Sequence, residues 1–393
     1  MDTLTALIAR THAAACLECG KCTAVCPLAR HDEAFSPRRL VEELVQGRPA
    51  EALRSLSLWS CLTCRACQER CPQGVDYGAL IRGARALARR EGERPPCSHG
   101  GLLQTVMRLQ ASPGHAQKRL EWLQEDLEVS SEGETLYFVG CLPYFQVIFS
   151  ELEVPALEIA RSVVRLLNAA GEHPQVRAEE RCCGHDLLWE GDVESFRRLA
   201  EQNRDMVQQS GARRIVTACP ECAYTLAVDY PALGYGLGVE VLHLSQWLAQ
   251  ALREGRLHLQ RGERRLTYQD PCRLSRYLGE VEAPRQVLAA LGEVVELEGS
   301  GRLAVCCGGS WTECGAANRA LQVERLDQAG RNGADLLVTA CIKCQFHFRC
   351  AQKTAGLGEG AGRTEVQDLA LLAAQGLGNP GWAPAAASSY RVP

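Results

Sequence analysis

Cysteine placement constrains this chain more than any other feature. The stretches CLECGKCTAVCP and CLTCRACQERCP set Cys16, Cys19, Cys22 and Cys26 ahead of Pro27, and Cys61, Cys64, Cys67 and Cys71 ahead of Pro72. Both read C-x2-C-x2-C-x3-C-P. Farther along, a second arrangement occurs twice: Cys141, Cys182, Cys183, Cys219 and Cys222, then Cys272, Cys306, Cys307, Cys341 and Cys344. Each copy runs C, CCG, CxxC, and VTAC is repeated letter for letter at the last pair. Eighteen of the 21 cysteines fall into these two patterns. The N-terminus carries Asp2 and reaches a cysteine by position 16, without the basic start and apolar stretch of a secretory leader, so the chain is expected to stay in the cytoplasm. Compact Cys-x-x-Cys spacing there points to metal centres rather than to a disulfide framework.

The N-terminal runs have the spacing of the bacterial ferredoxin run, in which three close cysteines hold one cubane and the fourth crosses to the other. That rule assigns Cys16, Cys19, Cys22 and Cys71 to one cluster, and Cys61, Cys64, Cys67 and Cys26 to a second. Zinc rarely takes four cysteines in so compact an order twice. Between the runs, SPRRLVEELVQGR predicts a short helix capped by Ser36, opened by Pro37, lined by Leu40, Val41, Leu44 and Val45, and ended at Gly47. YGALIRGARALARREGERPP predicts an amphipathic helix leaving toward a Pro-rich exit. The boundaries expected from this reading are 1–96 for a dicluster domain, 97–130 for a helical connection, 131–255 and 256–375 for the two five-cysteine units, and 376–393 for a flexible tail. The Gly, Pro and Ala after residue 370 suggest a docking segment or disorder.

The two five-cysteine units share more than their ligands. The gaps are 40 and 35 residues in the first copy and 33 and 33 in the second. TLYFVGC, RRIVTAC, RLTYQDPC and DLLVTAC each read as a buried strand ending at a cysteine, with amphipathic stretches such as LEIARSVVRLLNAAG and NRALQVERLDQAG between them. Alternating strands and helices predict an α/β class with largely parallel sheets, and in such sheets sites gather at the carboxyl ends of strands. Each strand would then carry a cysteine to that edge. Tetrahedral zinc would leave one cysteine unused at the same place in both copies, and a dithiol switch would leave three unused. Five thiolates carry a charge that several irons share better than one divalent ion does, so a polynuclear iron–sulfur site is favoured over either alternative.

With the residues thus arranged, the chain resembles the heterodisulfide reductase family, in particular its D subunits, where a ferredoxin-type domain is fused to two CCG domains. The resemblance covers about residues 10–350. It implies an N-terminal helical dicluster domain followed by two pseudo-symmetric α/β domains. It also implies two cubane [4Fe-4S] clusters and two noncubane [4Fe-4S] clusters, the latter facing one another across a cavity where a disulfide is cleaved or formed. The ten cysteines of the two five-membered sets would then be catalytic, and the enzyme would be active only with partner subunits. The intact CxxC arms favour this reading over an iron–sulfur electron-transfer subunit of a flavin-dependent glycolate or lactate oxidase.

Other residues bound the partners. A net charge of -4 with dispersed basic residues argues against nucleic acid. The uncharged run between Asp368 and Arg391 is broken by Gly and Pro, so no membrane span of its own is expected. No dinucleotide fingerprint, Walker loop or nucleophile elbow is present, and electrons are expected from a flavoprotein, a hydrogenase-linked subunit or a membrane cytochrome, the last holding the chain at the inner membrane face. Arg181, Arg273 and Lys343 adjoin cluster cysteines, where they either grip an acidic substrate tail or offset cluster charge. His185 and His347 are candidates for proton relay or for supporting groups behind the ligands. Gly184 and Gly308 allow a tight turn after each cysteine pair. Cys97, Cys314 and Cys350 lie outside every motif, with Cys314 close enough in sequence to approach the second set.

Overall fold

The computed structural model describes residues 3–46, 48–354, 362 and 364–378. Its N-terminal part is helical, and the rest is built on two parallel sheets. The first sheet runs β1 (Thr135–Tyr137), β2 (Arg214–Thr217), β3 (Glu240–His243), all parallel. The second has β4 (Arg265–Gln269), β5 (Glu293–Val294), β6 (Leu336–Thr339) and β7 (Val366–Asp368) in the order β5-β4-β6-β7, again all parallel. An isolated parallel bridge from Leu136 to Gln175 stands where β5 stands in the second sheet, so the two units share one topology. The α/β class with an N-terminal helical dicluster region is therefore as the sequence indicates. Strands β1, β2, β4 and β6 are those expected ahead of Cys141, Cys219, Cys272 and Cys341.

These strands are short and buried on both faces, as parallel strands covered by helices must be. Tyr137, Val216, Tyr268 and Val338 are all fully buried. After β3 and β7 the chain turns at once into a helix, and the same device caps both. His243 accepts from Ser245 N, and Asp368 accepts from Ala370 N. The two capped helices then exchange places. Leu244–Arg253, which closes the first unit, packs on Glu282–Leu291 of the second. Leu369–Gln375, which closes the second, packs on Ala156–Ala169 of the first. One apolar core, including Trp247, Leu248, Val287, Leu288, Leu369 and Leu371, runs through both units as a result.

Two expectations change here. Residues 370–375 are not a loose tail: LALLAAQ is a helix whose Leu369, Ala370 and Leu371 are buried, because the apolar face of the neighbouring unit is there to receive it. Residues 379–393 and the expected helix end at Gly47 lie outside the described residues. The stretch 97–130 is α-helical only over Leu102–Gln110, since Pro113 and Gly114 end that run and turns follow. The helices Pro37–Gln46 and Tyr77–Arg90 form as the periodicity predicts, the second capped by Asp76. No helix among the described residues is long and apolar enough to cross a membrane.

Candidate metal centres and the cavity between them

Each ferredoxin-type loop bends through two left-handed residues: Glu18 (φ 54°) and Gly20 (φ 76°) in one, Thr63 (φ 50°) and Arg65 (φ 63°) in the other. Such a pair curls the chain so that successive main-chain N–H groups face one side, a concavity suited to a negatively charged group. The loops together wall two small cavities. Cys16, Cys19, Cys22 and Cys71 line one, with Pro72 at its edge. Cys26, Cys61, Cys64 and Cys67 line the other, shut in by Leu28, Phe35 and Tyr77. Each cavity thus takes three cysteines from one run and the fourth from the other run. The outer set reaches the surface at Cys19, whereas all four cysteines of the inner set are buried. Burial, helped by neighbouring thiols, pushes Cys61 up to about 11 and Cys26 up to about 12. Cys64 goes the other way, brought down to about 6 by its hydrogen bond with the Cys306 thiol and by the nearby Arg276 and Arg273.

The five-cysteine sets form at the carboxyl edges of their sheets. Cys141 follows β1 through Gly140 (φ 68°), where a Cβ would come within 3.2 Å of the Cys222 sulfur. Cys182 and Cys183 precede Gly184, and Cys219 and Cys222 follow β2. The thiols touch in one chain, Cys141 to Cys182 to Cys183 to Cys222 to Cys219, with Cys183 and Cys222 Sγ atoms 3.4 Å apart. In the second unit the chain is Cys272 to Cys306 to Cys307 to Cys344 to Cys341. There the Cys306 thiol also contacts Cys64 of the inner ferredoxin-type set. Gly184 (φ 82°) and Gly308 (φ 72°) turn the chain as expected, but the space they spare belongs to the core: a Cβ would lie 2.8 Å from Phe196 at the first and 2.8 Å from the Asn318 carbonyl oxygen at the second.

Between the two units lies a cavity, partly open to solvent, whose empty space with that open solvent counted is about 670 Å³. All five cysteines of the second set line it, and across from them stand His185, Asp186, Pro220 and Glu221, which flank the cysteines of the first set. Trp189 and Trp311 wall it. Lys343 reaches across the gap to Asp186 (2.6 Å) and Glu221 (2.8 Å), and the two carboxylates keep it charged although burial opposes charge there. His185, Asp186 and Glu221 have the proximity of a metal site, but the Lys343 ammonium already occupies the two carboxylates and Arg273 the His185 Nε2. Arg273 is stacked between Trp189 and Tyr277, 4.0 Å from each ring, and donates to His185 Nε2 (3.1 Å), Thr63 O (2.8 Å) and Thr63 Oγ1 (2.9 Å).

That bond fixes His185. Burial holds it neutral, Nε2 accepts from Arg273, and its proton sits on Nδ1 facing Thr225 at 3.0 Å. Both nitrogens are committed, which makes His185 a supporting group rather than a relay. His347 is buried against Trp311, brought down to about 4 by its burial, and its Nε2 has no partner. Of the three cations that adjoin cluster cysteines in sequence, Arg273 and Lys343 line the cavity. Arg181 instead turns to Gln202 and the His115 carbonyl. Cys97, Cys314 and Cys350 line none of the cysteine-walled cavities.

Sequence reasoning missed several residues here. Arg85 and Arg276, each 3% exposed, bind the main chain of the inner loop at Cys61 O (2.8 Å) and Cys64 O (2.5 Å). Arg119 and Glu180 form a buried ion pair under Cys141. The signal in the sequence was slight: Arg276 lies four residues beyond a cysteine and Glu180 two before one.

Comparison with known proteins agrees with this geometry. A 4Fe-4S dicluster domain matches residues 12–75, and a cysteine-rich (CCG) domain matches twice, at 135–227 and 266–349. A probable membrane-anchored ferredoxin of Chromohalobacter salexigens is 31% identical over 93% of this chain and 60% of its own length. The D subunit of the dihydromethanophenazine:CoB–CoM heterodisulfide reductase of Methanosarcina barkeri is 27% identical over 93% of this chain and 94% of its own. An EtfAB:quinone oxidoreductase of Syntrophomonas wolfei is 27% identical over 90% and 57%. The chain therefore spans less than two thirds of two of these relatives and nearly all of the third. It belongs to the iron–sulfur oxidoreductase proteins in which a 4Fe-4S dicluster domain is joined to paired CCG domains, the architecture of the heterodisulfide reductase D subunits.

Proposed function

We propose that this chain is a heterodisulfide reductase-like catalytic subunit that cleaves or forms a disulfide in the cavity between its two CCG units. In this reading Cys16, Cys19, Cys22 and Cys71 hold an outer cubane [4Fe-4S] cluster, and Cys26, Cys61, Cys64 and Cys67 hold an inner one. Cys141, Cys182, Cys183, Cys219 and Cys222 hold one noncubane cluster, and Cys272, Cys306, Cys307, Cys341 and Cys344 hold the other. The donor sets fit such groups. Five thiols touching in one chain suit no single tetrahedral ion, and buried nitrogens without partners lie near them: Arg119 Nε and Nη1, Arg276 Nη2 and His347 Nε2. When bound, the clusters supply electrons singly and iron with affinity for thiolate sulfur.

The chain's own residues supply the rest. Trp189 and Trp311 give the cavity two apolar walls beside the charged Lys343, Asp186, Glu221 and Arg273. Lys343, bridged to Asp186 and Glu221, fixes the separation of the two units. Arg273 and Tyr277 tie the second unit to the inner loop, Tyr277 Oη donating to Thr63 O at 2.7 Å. Exposure of Cys19 makes the outer set the place where a partner subunit exchanges electrons. We assign the chain to the cytoplasmic side, with a flavoprotein, a hydrogenase-linked subunit or a membrane cytochrome as that partner.

The observation that carries this reading is the cavity lined by five cysteines on one side and, on the other, by residues that flank Cys183, Cys219 and Cys222 of the first set. The relative named as an EtfAB:quinone oxidoreductase keeps a second reading in play, in which the chain wires a flavoprotein to an acceptor. The test is anaerobic purification, an iron count near the roughly 16 atoms of four tetranuclear clusters, and electron paramagnetic resonance of the oxidised protein with and without thiols. A signal that appears only with thiol and is lost in Cys306→Ser supports disulfide chemistry. Full iron with spectra indifferent to thiols supports the wire, and zinc in the five-cysteine sets removes both.

A further inference from the structure

The two five-cysteine sets sit in different electrostatic surroundings. Beside the first, the buried cation is Arg119, bonded to Glu180, which also accepts from Val139 N and Gly140 N at 2.9 Å each. That pair is neutral. Beside the second stand Arg273 and Arg276, both 3% exposed. Arg276 donates to Cys64 O (2.5 Å) and Ala304 O (2.7 Å), while its Nη2 has no acceptor. Arg273 donates to Thr63 and to neutral His185. Among the described residues neither guanidinium is hydrogen-bonded to a carboxylate. The Lys343, Asp186 and Glu221 triad stands between the sets and acts on both.

Both arginines issue from a single π-helical turn, Arg273–Tyr277, closed by Leu278 N on Arg273 O (3.1 Å). This turn begins directly after Cys272 and lies against the Cys61–Cys64 loop, where Cys306 and Cys64 meet. No cysteine of the first set makes such a contact among the described residues. A buried cation with no carboxylate bonded to it stabilises the reduced, more negative state of an adjacent cluster, and Arg276 is the clearer case, because the Glu221 carboxylate also faces Arg273.

We propose that Arg273 and Arg276 set the potential of the second five-cysteine site, holding it above that of the first while they tie it to the inner four-cysteine site. The inference rests on the iron–sulfur reading above. Each electron gained by the second site is lost by the inner four-cysteine site and restored, by way of the outer site, from a one-electron donor protein.

Potentiometric titration of the anaerobically purified full chain, followed by electron paramagnetic resonance after an iron count, tests this. Arg276→Gln is expected to lower the midpoint of the higher-potential five-cysteine signal by at least about tenfold in its one-electron reduction constant, about 59 mV, with iron unchanged. Arg276→Lys keeps the charge and is expected to recover most of that shift, and Arg119→Gln leaves this signal in place. Where Arg276→Gln loses iron, Arg273→Gln makes the same comparison. Equal shifts in the Gln and Lys variants, or no shift at full iron loading, overturn the inference and leave the iron–sulfur reading standing. Absence of iron from the five-cysteine sites of the unaltered chain overturns that reading first.

Discussion

Replacing Arg85 by Met removes the group that ties the inner ferredoxin-type loop to the first CCG unit. The guanidinium is 3% exposed and makes four hydrogen bonds to main-chain carbonyls: Leu58 (2.9 Å), Trp59 (2.9 Å), Cys61 (2.8 Å) and Trp189 (3.1 Å). Each charge-assisted bond contributes roughly 1.5–3 kcal/mol, but burying the cation costs several kcal/mol in return. Met fills much of the volume and restores none of the four acceptors. The net loss for the segment around residues 58–63 is therefore about 3–5 kcal/mol. Because the opening is local to this segment, a global unfolding transition would dilute it. Amide hydrogen exchange on the anaerobic protein reads the local opening instead. At about 1.4 kcal/mol per tenfold, amides of this segment are expected to exchange on the order of a hundred to several thousand times faster. Exchange within about threefold of the unaltered protein, where about 1.4 kcal/mol is tenfold, would show that the four bonds are not what holds the loop.

Three further outcomes follow from particular contacts. Gly308→Ala places a Cβ 2.8 Å from the Asn318 carbonyl oxygen at φ 72° and is expected to cost about 1–3 kcal/mol, whereas Gly279→Ala, at φ 71° with nothing nearer than 3.8 Å, bears the left-handed strain alone; thermal midpoints compared side by side check the difference. Asp368 is raised by burial to about 7 from 3.8, so the folded chain keeps a proton that the unfolded chain has lost. Stability is then greatest below about pH 4 for this group and falls as pH rises toward about 7, by up to about 4 kcal/mol; Asp368→Asn keeps the cap on Ala370 and is expected to flatten that slope in melts across this range. Leu369→Ala truncates a core side chain in the exchanged helix and is expected to lower stability by about 2–5 kcal/mol, with loosening of the helix Ala156–Ala169 visible in the same exchange experiment.

Much of the site was legible in the order of residues alone, because metal ligation imposes spacing rules that local sequence must obey. A Cys-x-x-Cys loop closes on one centre whatever surrounds it, and a buried strand that ends at a cysteine brings that cysteine to the sheet edge. The repeat of VTAC at 216–219 and 338–341 carried the pseudo-symmetry in the same way. The helix Leu369–Gln375 was misread for the opposite reason: its apolar run needs a face to bury against, and that face belongs to residues 156–169 of the other unit.

Contacts between distant segments had no local signature at all. Arg276 reaches Cys64 across 212 positions, Lys343 reaches Asp186 across 157, and the Cys306 thiol touches Cys64. Sequence by itself determined which thiols can share a centre and that the α/β unit occurs twice, since both follow from spacing and periodicity along the chain. Only the tertiary structure decided that a cavity separates the two units, that His185 is locked by Arg273, and that the buried cations near one set are balanced while those near the other are not. Among those cations Lys343, beside the second set, is paired with Asp186 and Glu221, so the contrast lies in Arg276 and in the lack of a carboxylate bonded to Arg273; these outcomes depend on packing and charge between elements that the chain brings together only when the exchanged helices close the shared core.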